Sequence, residues 1–120
     1  MADQSTTLAE MRAWLARFVA EREWQSYHDP KNLAMSVAIE AAELMEHFQW
    51  VRSDELPTLA ADPARREAIG EEIADVACYL LSLCNALQLD LSDAVKRKIE
   101  KNATKYPIEK FKGRYTERLK

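Results

Sequence analysis

Residues 38–50 read AIEAAELMEHFQW, a helix-forming run in which Glu40 and Glu43 stand among Ala, Ile, Leu, Met and Phe. A lone carboxylate buried in such company costs roughly several kcal/mol, so the stretch demands a compensating partner. At about 100° per residue, Leu33, Val37, Leu44, Phe48 and Val51 form one apolar stripe. Glu40, Glu43, His47 and Trp50 form a second stripe about a quarter turn away. Residues 71–87, EEIADVACYLLSLCNAL, repeat the arrangement. There Ile73, Val76, Leu80, Leu83 and Leu87, with Ile69 before them, make the expected core stripe, and Glu72, Asp75, Tyr79 and Ser82 flank it. Each helix carries an acidic pair at i, i+3, and two such pairs converge wherever the helices pack face to face.

The rest of the chain supports an all-α reading. It holds two glycines and four prolines in 120 residues, and the prolines stand mostly where helices begin or end. Thr7 and Glu10 have capping-box spacing, and Leu8, Met11, Leu15 and Phe18 continue the period to about Glu23. Asp29 before Pro30 starts a second helix to about Val51, and Asp62 before Pro63 starts a third to about Leu87. Residues 52–62 read as a connecting loop. Asp90 or Ser92 caps a fourth helix that must stop before Pro107. The expected architecture is a four-helix-bundle-like domain over residues 1–107 followed by a basic tail over 108–120.

Charge is unevenly spread. Residues 1–95 carry 17 acidic against 7 basic side chains, and residues 96–120 carry 10 basic against 3 acidic. The basic end lacks the interleaved aromatics of nucleic-acid modules, which argues against a nucleic-acid polymer as partner and leaves small phosphorylated ligands. No apolar run reaches the roughly 20 residues of a membrane span, and MADQSTT has no signal-peptide pattern, so the expected location is cytoplasmic. Cys78 and Cys84, six apart on one helix, point apart and read as unbridged, buried thiols. The remaining faces of both central helices are also apolar or small: Met35, Ile39, Ala42 and Met45 in one, Ala74, Ala77, Cys78 and Leu81 in the other. A helix apolar nearly all round is buried on all sides, which predicts a homo-oligomer.

Four ionised carboxylates in one cleft repel one another unless a cation sits among them. Oxygen-only ligands favour Mg²⁺, Mn²⁺ or Ca²⁺ over zinc, which prefers Cys and His. Mg²⁺ characteristically joins a few carboxylates to substrate phosphates, so an acidic site in a chain with a basic end suggests phosphate-ester chemistry. A di-iron centre is disfavoured, because Glu-x-x-His is absent. Covalent and zinc-protease motifs are also absent. The alternative from another class is a non-catalytic helical interaction module whose acids hold a structural cation.

The paired E-x-x-E and E-x-x-D, with E-R-x-W…H-x-P-x-N-L and E-L-x-E-x-F-Q-W around them and KIEKNATKYP at 98–107, resemble the MazG-like all-α nucleoside triphosphate pyrophosphohydrolases, above all their dCTP pyrophosphatase branch. The resemblance runs from about Leu8 to Pro107. It implies that Glu40, Glu43, Glu72 and Asp75 bind Mg²⁺ and serve catalysis. It further implies that Trp24, His28, Asn32, Trp50 and Tyr79 line the nucleotide pocket, and that Lys98, Asn102 and Lys105 reach the phosphates. The implied reaction converts a deoxynucleoside triphosphate, dCTP or a modified pyrimidine nucleotide, to the monophosphate and pyrophosphate in a homotetramer; dUTP or an oxidised base is the alternative substrate. Ile39 stands where many relatives have Gly, an expected narrowing beside the metal.

Overall fold

The structure, a computed structural model, describes residues 1–114. Its helices are α1 (Leu8–Glu21), α2 (Pro30–Glu46), α3 (Leu56–Ala61), α4 (Pro63–Leu87), α5 (Leu91–Lys105) and α6 (Ile108–Phe111), with 3₁₀ turns at Ala2–Gln4, Gln25–Tyr27 and Ser53–Glu55. No strand occurs among the described residues. The chain divides into two compact units, Met1–Gln88 and Leu89–Lys120. The tail expected over 108–120 contains the one-turn helix α6, and its last six residues lie outside the described residues.

Helix starts follow local chemistry. Thr7 Oγ1 accepts from the Glu10 backbone N–H at 3.1 Å, and Glu10 Oε2 accepts from the Thr7 N–H at 2.7 Å, closing the capping box of α1. Asp29 accepts from the Asn32 N–H at 2.8 Å, Asp62 from the Ala64 N–H at 3.0 Å, and Asp90, rather than Ser92, from the Asp93 N–H at 2.8 Å. Pro30 and Pro63 occupy first helical positions, where no intrahelical N–H bond is lost.

Helix ends depart more from expectation. Helix α2 stops at Glu46 instead of Val51. The chain tightens into i→i+3 turns, His47 N–H to Leu44 O, Phe48 N–H to Met45 O and Val51 N–H to Phe48 O. These turns advance about 120° per residue and take Phe48 and Trp50 out of helical phase. Helix α4 ends on Gln88 in the left-handed region at φ 54°. Helix α1 is followed by Glu23 at φ 53°, where the Glu23 N–H meets Ala20 O and the Trp24 N–H meets Val19 O. That pairing is a Schellman closure without glycine.

Within Met1–Gln88, α4 is the central element and packs against α1, α2 and α3, most extensively against α2. The buried apolar residues are Leu33 of α2, Leu59 of α3 and Leu81 and Cys84 of α4. The stretch 52–62 is therefore not a plain loop, because α3 inserts Leu59 into the core. The core face of α4 is also rotated from the expected stripe. Ile73, Leu80 and Leu87 are 53%, 42% and 48% exposed, while Leu81 is buried. A helix apolar on two faces offers no periodicity by which to choose between them, and packing against its three neighbours made the choice. Of the two thiols, Cys84 is buried and Cys78 exposed, and both are free.

The Leu89–Lys120 unit is a strongly amphipathic α5, with Leu91, Val95 and Ile99 at i, i+4, i+8, followed by α6. The Tyr106 and Phe111 rings meet edge to face at 5.2 Å, and Lys105 Nζ lies 5.3 Å from the Tyr106 ring centroid.

Candidate active site

Packing of α2 on α4 brings the acidic pairs together. Ligand oxygens of Glu40, Glu43 and Glu72 all lie within 4.8 Å of one another. Glu40 Oε2 and Glu72 Oε2 are buried and have no hydrogen-bond partner among the described residues. Asp75 stands outside that trio, yet its charge bears on both Glu40 and Glu72. The electrostatic consequence is large. Removal from water first, then proton sharing with and charge from Glu43, then the charges of Asp75 and Glu72, push Glu40 from 4.5 up to about 7. Glu72 is raised by the same removal from water and by Glu43 and Asp75, against a lowering influence from His47.

Buried carboxylate oxygens without donors are costly, and a cation is the partner that would satisfy both at once. A hard, oxygen-preferring divalent ion such as Mg²⁺ or Mn²⁺ fits this donor set, which contains no thiol or imidazole ligand. His47, on the acidic stripe but given no role by sequence reasoning, is half-buried and close enough for its charge to act on Glu72. Ile39, expected to narrow the space beside the metal, is more than half exposed.

A second feature lies farther along α4. A cavity of about 410 Å³ is walled by Leu15 and Val19 of α1, Gln25 and His28 of the following turn, and Ser82 and Asn85 of α4. None of the four carboxylates lines it. Ser82 stands two turns beyond Asp75 on the same face of α4, roughly 10 Å along the axis. Asn85 ties α4 to α1: its Oδ1 accepts from Arg12 Nε at 2.9 Å, and its Nδ2 donates to Arg12 O at 3.1 Å. Gln25 and Asn85 were missed from sequence. Asn85 carried no local signal, because its partner is 73 residues away.

The aromatic candidates are dispersed. Trp24 stacks on His28, centroids 6.4 Å apart and planes 12° apart, and meets Phe18 edge to face at 5.9 Å. Asn32 donates from Nδ2 to Tyr27 O at 3.4 Å, bracing the turn that carries His28. Tyr79 is half-buried on α4, between the carboxylates and Ser82. Trp50, beyond the end of α2, is 86% exposed. Lys98, Asn102 and Lys105 lie on α5 in the second unit.

The sequence profile of the MazG-like family matches residues 35–117, a span that holds all four carboxylates. The chain belongs to the MazG-like family. This MazG-like chain is 37% identical over 107 residues to dCTP pyrophosphatase 1 of Bos taurus, covering 89% of the chain and 63% of that relative. It is 39% identical over 101 residues to dCTP pyrophosphatase 1 of Homo sapiens, covering 84% and 59%. It thus spans less than two thirds of the length of these curated relatives. A solved pyrophosphatase from Archaeoglobus fulgidus DSM 4304 is 49% identical and superposes with a TM-score of 0.77, over 82% of this chain and 91% of that one. The all-α fold of the MazG-like chain is shared with that pyrophosphatase.

Proposed function

We propose that this chain is a magnesium-dependent nucleoside triphosphate pyrophosphohydrolase acting on dCTP or a modified pyrimidine deoxynucleotide. The observation that carries the reading is the meeting of Glu40, Glu43 and Glu72, two of them with buried, partnerless oxygens. Such an arrangement is unfavourable for an empty protein and suited to a divalent ion. Its presence in a MazG-like chain similar to proteins named dCTP pyrophosphatase supports the substrate class.

Glu40, Glu43 and Glu72 would hold the ion, with Asp75 completing the negative field on the exposed side. Bound there, Mg²⁺ would supply charge neutralisation for the triphosphate and Lewis acidity toward it. The protein's own part is to present its oxygens from two rigid helices, so that little reorganisation accompanies the reaction. Lys98, Asn102 and Lys105 offer donors suited to phosphate oxygens. A homotetramer in the cytoplasm remains part of this reading; no single helix among the described residues is long and apolar enough to cross a membrane.

Glu43→Gln is the direct test. The charge common to both raised neighbours disappears, so magnesium-dependent release of pyrophosphate should fall by about a hundredfold or more. Thermal stability in chelator should stay equal or rise, because repulsion in the empty site is relieved. Near-normal turnover would remove Glu43 from the site, whereas absence of magnesium-dependent pyrophosphate release from the unaltered chain would leave the interaction-module reading in its place.

A further inference from the structure

The two long walls of the cavity differ in firmness. Leu15, Ala16 and Val19 come from α1, and Ser82, Asn85 and Ala86 from α4. Helices α2, α3 and α4 each place at least one residue in the core, whereas α1 places none. Its inward stripe, Met11, Leu15 and Val19, is only half-buried. An element with so little buried apolar surface is the one that gives way first. The contacts of Arg17 with Glu21 and of Arg22 with Phe18 run along α1 itself and do nothing to hold it in place.

Asn85 reaches across. A guanidinium N–H only donates and a backbone carbonyl only accepts, so its amide fits one way round, Oδ1 to Arg12 Nε at 2.9 Å and Nδ2 to Arg12 O at 3.1 Å. Side chain and main chain of one residue are gripped together, which opposes both separation and rotation of α1. Arg12 stands about one turn before Leu15 and Ala16, so the grip acts at the end of the wall itself.

We infer that Asn85 is a positioning residue: clasped to Arg12, it holds α1 at a set distance from α4, and so fixes the width of the cavity and the size of the group it admits. The inference rests on the pyrophosphohydrolase reading, under which the cavity, with His28 in its wall, receives part of the nucleotide. Without the clasp, only half-buried side chains return α1 to α4. A small group then loses contact with one wall, and a large one gains room. The change falls on binding rather than on chemistry, because Glu40, Glu43, Glu72 and Asp75 are carried by α2 and α4, whose packing does not involve the clasp.

The test compares hydrolysis of dCTP and dATP by the full chain with Mg²⁺ at pH 8. In Asn85→Leu, which keeps the branched shape without either hydrogen bond, KM for dCTP should rise about tenfold with kcat little changed. The kcat/KM ratio of dCTP over dATP, well above one in the unaltered protein, should fall by about the same factor. Hydrogen exchange should quicken at the amides of residues 12–19 and hold along α4. Asn85→Asp, which keeps the bond from Arg12 Nε and loses the donor to Arg12 O, should move KM and the ratio the same way by less. Thr7→Ala is the control: it removes the cap of α1 and lowers the melting temperature, yet it leaves the clasp, so KM and the ratio should hold. A ratio near one in the unaltered protein, an unchanged KM and ratio in folded Asn85→Leu, or failure of both Asn85 variants to fold would overturn the positioning role and leave the pyrophosphohydrolase reading intact. No pyrophosphate from either nucleotide with the unaltered chain would overturn that reading, and this inference with it.

Discussion

Glu40 shows most directly what the empty site costs. Its carboxyl titrates at about 7 in the folded chain against 4.5 ordinarily, so between those values the folded state holds a proton that the unfolded chain has released. Stability from this group is therefore greatest below about 4.5 and is lost as pH rises through about 7. Melting curves recorded in chelator should show metal-free protein gaining stability as pH falls across that window, and Glu40→Gln should flatten the dependence. In the proposed magnesium site the same proton would compete with the ion, so the magnesium concentration needed for half-maximal activity should rise as pH drops below about 7. Trp50 poses the opposite case. Being 86% exposed, it leaves no cavity when truncated, and Trp50→Ala should hardly move the melting temperature. If it stacks on the base, substrate binding should weaken by roughly ten- to a hundredfold. Kinetics and melting of one variant separate the two: an unchanged Michaelis constant removes Trp50 from the nucleotide site.

The elements owe their starts to sequence and their ends to context. Aspartate caps at Asp29, Asp62 and Asp90 are local hydrogen bonds, and each helix began where its cap stood. The ends of α1 and α4 instead use Glu23 and Gln88 in the left-handed region, where glycine is favoured. Gln88→Gly should therefore stabilise the chain by about 0.5–1 kcal/mol, the gain from relieved strain exceeding the added freedom of the unfolded chain. A rise of several degrees in the thermal midpoint would show it, and a fall would mean that the Gln88 side chain contributes contacts of its own. The early end of α2 follows the same logic. Phe48, Trp50 and Val51 are poor helix formers, and nothing in 47–51 supplies a cap, so the last turns tighten rather than continue.

At the scale of the molecule, the apolar surface outruns what one copy covers. Helix α4 leaves Ile73, Leu80 and Leu87 exposed at seven-residue intervals, and α2 leaves Met35, Ile39 and Met45. A row of that spacing matches the seam by which helices pair, and water is a poor neighbour for it. Light scattering should give a multiple of 13.8 kDa. Leu80→Glu, in the middle of the row, should shift the population toward single chains while leaving the Leu33, Leu59 and Leu81 core in place. A folded monomer from the unaltered chain at micromolar concentration would count against this.

What the sequence determined by itself was whatever depends on neighbours a few residues apart. Helix starts, the all-α class and the acid pairs on α2 and α4 all follow from caps and a 3.6-residue period. What only the tertiary structure decided was which face of α4 lies inward, that α3 belongs to the core, and that Asn85 reaches Arg12 to frame a cavity with His28. The reason is physical. A helix apolar on two sides satisfies the same period whichever side it buries, and a hydrogen bond across 73 residues has no periodicity at all. Those choices were made by the competition among α1, α2 and α3 for the surface of one helix.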